Sequence, residues 1–142
     1  MASNHSIQTR VFYEDTDAAG IVYYANYLRF LERGRTEFLR TLGHSQHALM
    51  QQGIAFAVRS VQAEYLKPAR LDDLLTVQTA VESLGRAQLS FAQHIERDGQ
   101  RLLDAKIRIA CIDPATGRPQ AMPKAIHEQF RALLASSDGK TA

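Results

Sequence analysis

One segment of the 142-residue chain carries a helical period long enough to dictate what must surround it. From Tyr27 the apolar residues recur at intervals of three and four: Tyr27, Phe30, Leu31, Phe38 and Leu42. That spacing is one face of an α-helix. Arg29, Arg33, Thr36 and Arg40 fall on the opposite face and should meet water. Gly34 interrupts the apolar stripe, where glycine costs about 1 kcal/mol of helix propensity relative to alanine. A missing side chain there lets the helix lie close on a sheet, and Gly43 supplies a C-terminal stop. The rest of the chain must therefore provide a surface on which this face can be buried.

That surface reads as β-structure. Residues 1–7 read as a loose polar arm, and Gln8–Glu14 as a first strand. Ile54–Leu66 is rich in small and β-branched residues, and its alternation changes phase near Ser60, which predicts a bulge. Leu75, Val77, Thr79 and Val81 alternate with mostly polar neighbours. Gly85 marks a turn, and Ala87, Leu89, Phe91 and Ile95 make the next apolar face. Asp98-Gly99 is a two-residue hairpin signal. Leu103, Ala105, Ile107, Ile109 and Cys111 line one side of a last long strand. Ser45–Gly53 reads as a short helix capped by Ser45. Pro123–Leu134 reads as a closing helix, with a flexible tail over 136–142. The expected architecture is a single α+β domain over 1–142: an antiparallel sheet with one long helix across one face. Its edge strands call for cover, which a self-associating dimer would supply.

Composition narrows the function classes. The formal net charge is +2, and the seventeen basic residues form no block, so nucleic-acid binding has no support. Cys111 is the only cysteine, which excludes an internal disulfide and fits a reducing compartment. The N-terminus has no apolar signal-peptide core, and no stretch approaches 18 apolar residues, so a cytoplasmic protein without membrane insertion is expected.

The chemistry-bearing stretch precedes the helix. Asp15 and Asp17 lead into the small-residue turn Ala18-Ala19-Gly20, and the helix begins between Val22 and Asn26, with Asn26 as a candidate N-cap. A helix start presents unpaired N–H groups and a partial positive charge. A carboxylate beside those donors makes a compact pair, in which one part attacks or activates water and the other holds an oxyanion. The same two acids also read as ordinary turn residues. Rival chemistries fare worse. Cys111 lies on an apolar strand face, where free cysteine packs as a small hydrophobe. Ser90 and His94 lack a nucleophile elbow. His44 and His47 have no third ligand nearby. No acidic cluster or phosphate loop accompanies Asp15 and Asp17, so no metal is expected.

Residues 13–39, YEDTDAAGIVYYANYLRFLERGRTEFL, resemble the signature of the 4-hydroxybenzoyl-CoA thioesterase family of hotdog-fold enzymes, and more closely its YbgC-like branch. QGIAFAVRSVQAEYLKPARLDDLLTVQT and IDPATGRPQAMPKAI resemble the same branch, so the likeness spans roughly residues 8–131. It implies a hotdog fold, in which the sheet wraps around the central helix. It implies dimers with joined sheets, commonly paired into tetramers, and active sites at the dimer interface. The activity it implies is hydrolysis of an acyl-CoA thioester, with no cofactor beyond the coenzyme A of the substrate. Asp17 matches the family's catalytic carboxylate, as nucleophile or general base. The backbone N–H of Tyr24 matches the oxyanion donor, helped by Gly20, while Asp15 shapes the turn. Many YbgC-like relatives carry histidine where this chain has Tyr24. Tyr23, Glu64 and Tyr65 are candidate pocket or interface residues. Arg59, Lys67, Arg70, Arg86 and Arg118 are candidates for coenzyme A phosphates. A hotdog dehydratase would need a His-Asp pair in another arrangement. Outside enzymes, the alternative is a hotdog module that docks acyl carrier protein or envelope and lipid-synthesis proteins without turnover.

Overall fold

The computed structural model describes the backbone of residues 3–141 and the side chains of residues 3–134. Met1, Ala2 and Ala142 lie outside the described residues, as do the side chains of 135–141, where most of the expected flexible tail falls. Five strands form one antiparallel sheet: β1 His5–Arg10, β2 Ala55–Tyr65, β3 Leu74–Leu84, β4 Gln88–Arg97 and β5 Gln100–Ile112. Their order is β1-β3-β4-β5-β2, which leaves β1 and β2 as edges. The helices are α1 Tyr27–Thr41, α2 Gln46–Gln51 and α3 Lys124–Thr141. Single 3-10 turns cover Tyr13–Asp15 and Tyr24–Asn26.

Two boundaries differ from the sequence reading. The first strand begins at His5 and ends at Arg10, so 5–7 are paired rather than loose. Their partners on β3 lie some seventy residues away, and no local pattern reveals them. The closing helix continues past Leu134 to Thr141. Other signals hold. The register of β2 on β5 shifts between Val58 and Ser60, at the phase change. Asp98 and Gly99 both take positive φ, 52° and 77°, as a tight right-twisted hairpin requires. The Ser45 Oγ accepts the Ala48 N–H at 3.1 Å and caps α2.

Helix α1 packs on β1 and β3. Its buried residues are Tyr27, Phe30, Leu31, Gly34, Arg35, Phe38 and Leu39, so Arg35 and Leu39 join the expected face. Gly34 is where the helix comes closest. A Cβ there would stand 2.9 Å from Val77 Cγ1 and 3.1 Å from both Gln93 Nε2 and Thr79 Oγ1. The close approach lets Gln93 bridge the layers: its Nε2 donates to the Leu31 carbonyl and to Thr79, each at 3.0 Å, and its Oε1 accepts from Arg35 at 2.9 Å. Burial holds the Arg35 guanidinium down to about 10. Toward the C-terminal end the seam is aromatic. Phe38 lies 5.9 Å from Phe91 and 6.3 Å from Phe130, ring to ring, and stacks on His5 at 5.7 Å. Cys111 is fully buried, and burial pushes its thiol up, as befits a packed hydrophobe rather than a nucleophile.

Candidate active site

The acidic turn and the start of α1 form one corner, built almost entirely from main-chain hydrogen bonds. The Asp17 N–H donates to the Ile21 carbonyl at 2.9 Å, and the Gly20 N–H to the Asp17 carbonyl at 3.0 Å. Gly20 takes φ +79°, which closes the turn without strain. A strap from the β2–β3 connection fastens this turn: the Val22 N–H donates to Ala69 and the Leu71 N–H to Gly20. The chain then re-enters the corner, where the Tyr23 N–H donates to the Asp15 carbonyl at 3.2 Å.

The two acids do different things. Asp15 is 6% exposed. Its Oδ2 accepts the Phe12 N–H and its Oδ1 accepts from Asn26 Nδ2, both at 2.8 Å. Asp17 is exposed on the isolated chain. Its Oδ1 accepts the Ala19 N–H at 2.8 Å, and its Oδ2 takes no hydrogen bond from a described residue. Asn26 departs from the sequence reading. It has helical φ and ψ of −72° and −21°, and its side chain makes no cap bond. It turns away from the helix to Asp15 instead. Upstream of it, neither Tyr24 nor Ala25 donates its N–H to another described residue. Gly20 is different, since its N–H is already engaged by Asp17.

Tyrosines surround the helix start. Tyr23 and Tyr24 are exposed, with ring centroids 4.8 Å apart. Tyr65, at the end of β2, lies 6.4 Å from Tyr24 and 5.4 Å from Tyr27, and its hydroxyl donates to the Tyr24 carbonyl at 3.1 Å. The Tyr27 hydroxyl accepts the Ala69 N–H, and burial raises its pKa. The structure thus brings Tyr23 and Tyr65 together with Tyr24. Glu64 does not join them, because neighbouring strand residues face opposite ways.

The cationic candidates divide. Arg70 stays near the acidic turn, bridged to Ile21, whereas the Lys67 N–H donates to the Leu102 carbonyl. Arg59 sits at the β2 bulge, six residues and about 20 Å along the strand from Tyr65. Arg59 and Arg86 line a cleft of about 420 Å³ on the outer face, together with Arg108 of β5. Arg118 is not among its lining residues. Arg108 escaped the sequence reading, which followed only the inward apolar face of β5. The signal was its alternation with Ile107 and Ile109, but the cross-strand register was needed to place it beside Arg59. Among the described residues no group of three or more His, Cys, Asp or Glu could hold a metal ion. No described helix is long and apolar enough to cross a membrane.

A five-stranded antiparallel sheet with helix α1 laid across it is the architecture of hotdog-fold thioesterase structures. The thioesterase-like superfamily model matches residues 11–130. The acyl-CoA thioester hydrolase YbgC of Escherichia coli O6:H1 is 47% identical over 123 residues, or 86% of this chain and 92% of that protein. The acyl-CoA thioesterase YbgC of Haemophilus influenzae is 43% identical, over 90% of this chain and 95% of that one. A probable thioesterase from Bartonella henselae superposes with a TM-score of 0.80 at 39% identity, covering 84% of this chain and 98% of that chain. The chain belongs to the thioesterase-like superfamily, in its YbgC branch.

Proposed function

We propose that this protein hydrolyses acyl-CoA thioesters to a free acid and coenzyme A, with Asp17 as the reacting carboxylate and the helix-start N–H of Tyr24 as the oxyanion donor. One observation carries the reading: in a chain 43–47% identical to YbgC acyl-CoA thioesterases, an outward acid and unengaged helix-start amides share one corner. A thioester has a good thiolate leaving group, so a carboxylate can serve without a triad. Asp17 either attacks the acyl carbon or takes a proton from the attacking water. In the first route a mixed anhydride forms and the coenzyme A thiolate departs; water then cleaves the anhydride. In either route negative charge gathers on the carbonyl oxygen, where the Tyr24 N–H stabilises it. The Ala25 N–H, also unengaged, is available as a second donor, whereas the Gly20 N–H is taken by the Asp17 carbonyl.

Arg59, Arg86 and Arg108 suit the coenzyme's phosphates, which guanidinium groups bind in forked pairs. Tyr23 and Tyr65 flank the reacting corner, and Lys67 follows Tyr65 by two residues as a further candidate for the substrate. Arg59 lies about 20 Å from Tyr65 along β2, and a second chain meeting this edge would bring its own arginine cluster toward the reacting corner. The β2 edge suits that role, with Val58, Val61 and Tyr65 between 40% and 49% exposed on an open strand. A dimer or a dimer of dimers follows from this reading.

The test is thiol release from acyl-CoAs of graded chain length, from an aryl-CoA and from acyl carrier protein thioesters. Asp17→Asn should fold and assemble normally while turnover falls by at least about 10³-fold, in the range found when reacting or oxyanion groups are removed elsewhere. Near-wild-type turnover by that variant would defeat the assignment. Flat traces with every thioester would favour a binding module.

A further inference from the structure

We infer that Asp15 is a positioning residue, whose bond to Asn26 sets the reacting acid against the first turn of α1; the inference rests on the reading of Asp17 and Tyr24 given above. Asp15 lies two residues before Asp17, and Asn26 lies two residues after Tyr24. Their 2.8 Å side-chain bond therefore spans the gap between acid and oxyanion donor. Two backbone bonds run beside it: Tyr23 N–H to the Asp15 carbonyl, and Asn26 N–H to the Tyr23 carbonyl at 2.8 Å. Phe12 N–H holds the other carboxyl oxygen from below. Residues 12, 15, 23 and 26 are thus one connected unit, from which the Asp17 turn projects.

The chemistry of the pair argues for geometry rather than stability. Among the described residues no cation accompanies the Asp15 carboxyl, which accepts only two hydrogen bonds. Burying an acid with so few partners costs desolvation free energy. Asparagine at a helix start ordinarily folds back on the second or third amide of the helix, a cap worth about 1 kcal/mol. Here that cap is given up. Diverting the Asn26 side chain to Asp15 ties the acidic loop to the start of α1 at the expense of that cap.

The test exchanges donor and acceptor in the full chain. Asp15→Asn leaves one acceptor oxygen for two donors, Phe12 N–H and Asn26 Nδ2, and Asn26→Asp sets two carboxyls against each other. The double variant D15N/N26D restores one donor and one acceptor, and still offers an oxygen to Phe12 N–H. Each single variant should lower kcat by about 10- to 100-fold with KM within about threefold, since a misplacement near 1 Å costs on that order. The double variant should return kcat to within about fivefold of wild type. The inference is overturned if folded single variants keep wild-type kcat, or if the double variant melts like wild type yet turns over no faster than the single ones. If a single variant fails to fold, the double variant alone decides by the same kcat criterion. Asp17→Asn separates the two readings: if it is inactive while Asp15→Asn is unaffected, only the clamp fails. If Asp17→Asn turns over normally, the underlying reading fails whatever the pair does.

Discussion

The two ends of α1 are held by different forces. From its midpoint to its C-terminal end, Gly34 presses against Val77 and Phe38 against Phe91 and Phe130, with close approach and ring contacts doing the holding. At the N-terminal end Tyr27, Phe30 and Leu31 are buried too, but hydrogen bonds are added: Asn26 to Asp15, Tyr65 to the Tyr24 carbonyl, and Ala69 to the Tyr27 hydroxyl. Dispersion and burial are tolerant of direction but sensitive to volume. Hydrogen bonds are the reverse, because they fix angles and distances. The packed end therefore supplies stability and the hydrogen-bonded end supplies placement. Loss at one end should appear in melting, and loss at the other in turnover.

That division can be broken by substitution. Asp17→Asn is the largest contrast: turnover is nearly lost while the melting temperature stays within a degree or two of wild type. Phe38→Ala should do the opposite. It removes a fully packed aromatic side chain, so unfolding free energy should fall by about 3–5 kcal/mol. At temperatures where the variant remains folded, kcat should stay within a few-fold; a denaturant titration and an assay on the same sample check both halves. Gly34→Ala tests the seam more finely. Helix propensity alone favours alanine by about 1 kcal/mol, but a Cβ at 2.9 Å from Val77 must move something. Overpacking of that kind costs about 1–3 kcal/mol, so the net change should be destabilising. A stabilised Gly34→Ala protein would show that the seam gives way. The smallest effect is expected from Tyr65→Phe, which deletes only the hydroxyl at the Tyr24 carbonyl. A half-exposed hydrogen bond is worth about 1 kcal/mol. The kcat should fall by about three- to tenfold and the melting temperature by no more than about 4 °C, measured in parallel with wild type.

The sequence made the packed face of α1 legible and the hydrogen-bonded corner before it only partly so. Periodicity is a property of single residues, and Tyr27, Phe30, Leu31 and Phe38 announce a buried face without help from the rest of the chain. The bulge near Ser60 and the turn at Asp98-Gly99 were readable for the same reason. Arg35 was not, because a guanidinium on an apolar face looks like an error until Gln93 is known to stand across from it. Asn26 misled in a more instructive way. Its type and position fit a helix cap, and only the fold reveals a better partner eleven residues back. The first strand was shifted because its pairing with β3 is long-range. Asp17 was picked out by resemblance to a family signature rather than by spacing, since two acids around a threonine are a common pattern. Arg108 needed a register before it could be grouped with Arg59 and Arg86.

The strap across the acidic turn has a consequence for descent as well as for chemistry. Its knots at Val22 and Leu71 are tied with amide and carbonyl atoms that every residue type but proline can offer. Lineages are thus at liberty to rewrite most letters of that crossing while the acid it steadies stays put. Comparison of sequences would see drift there and overlook a fixture.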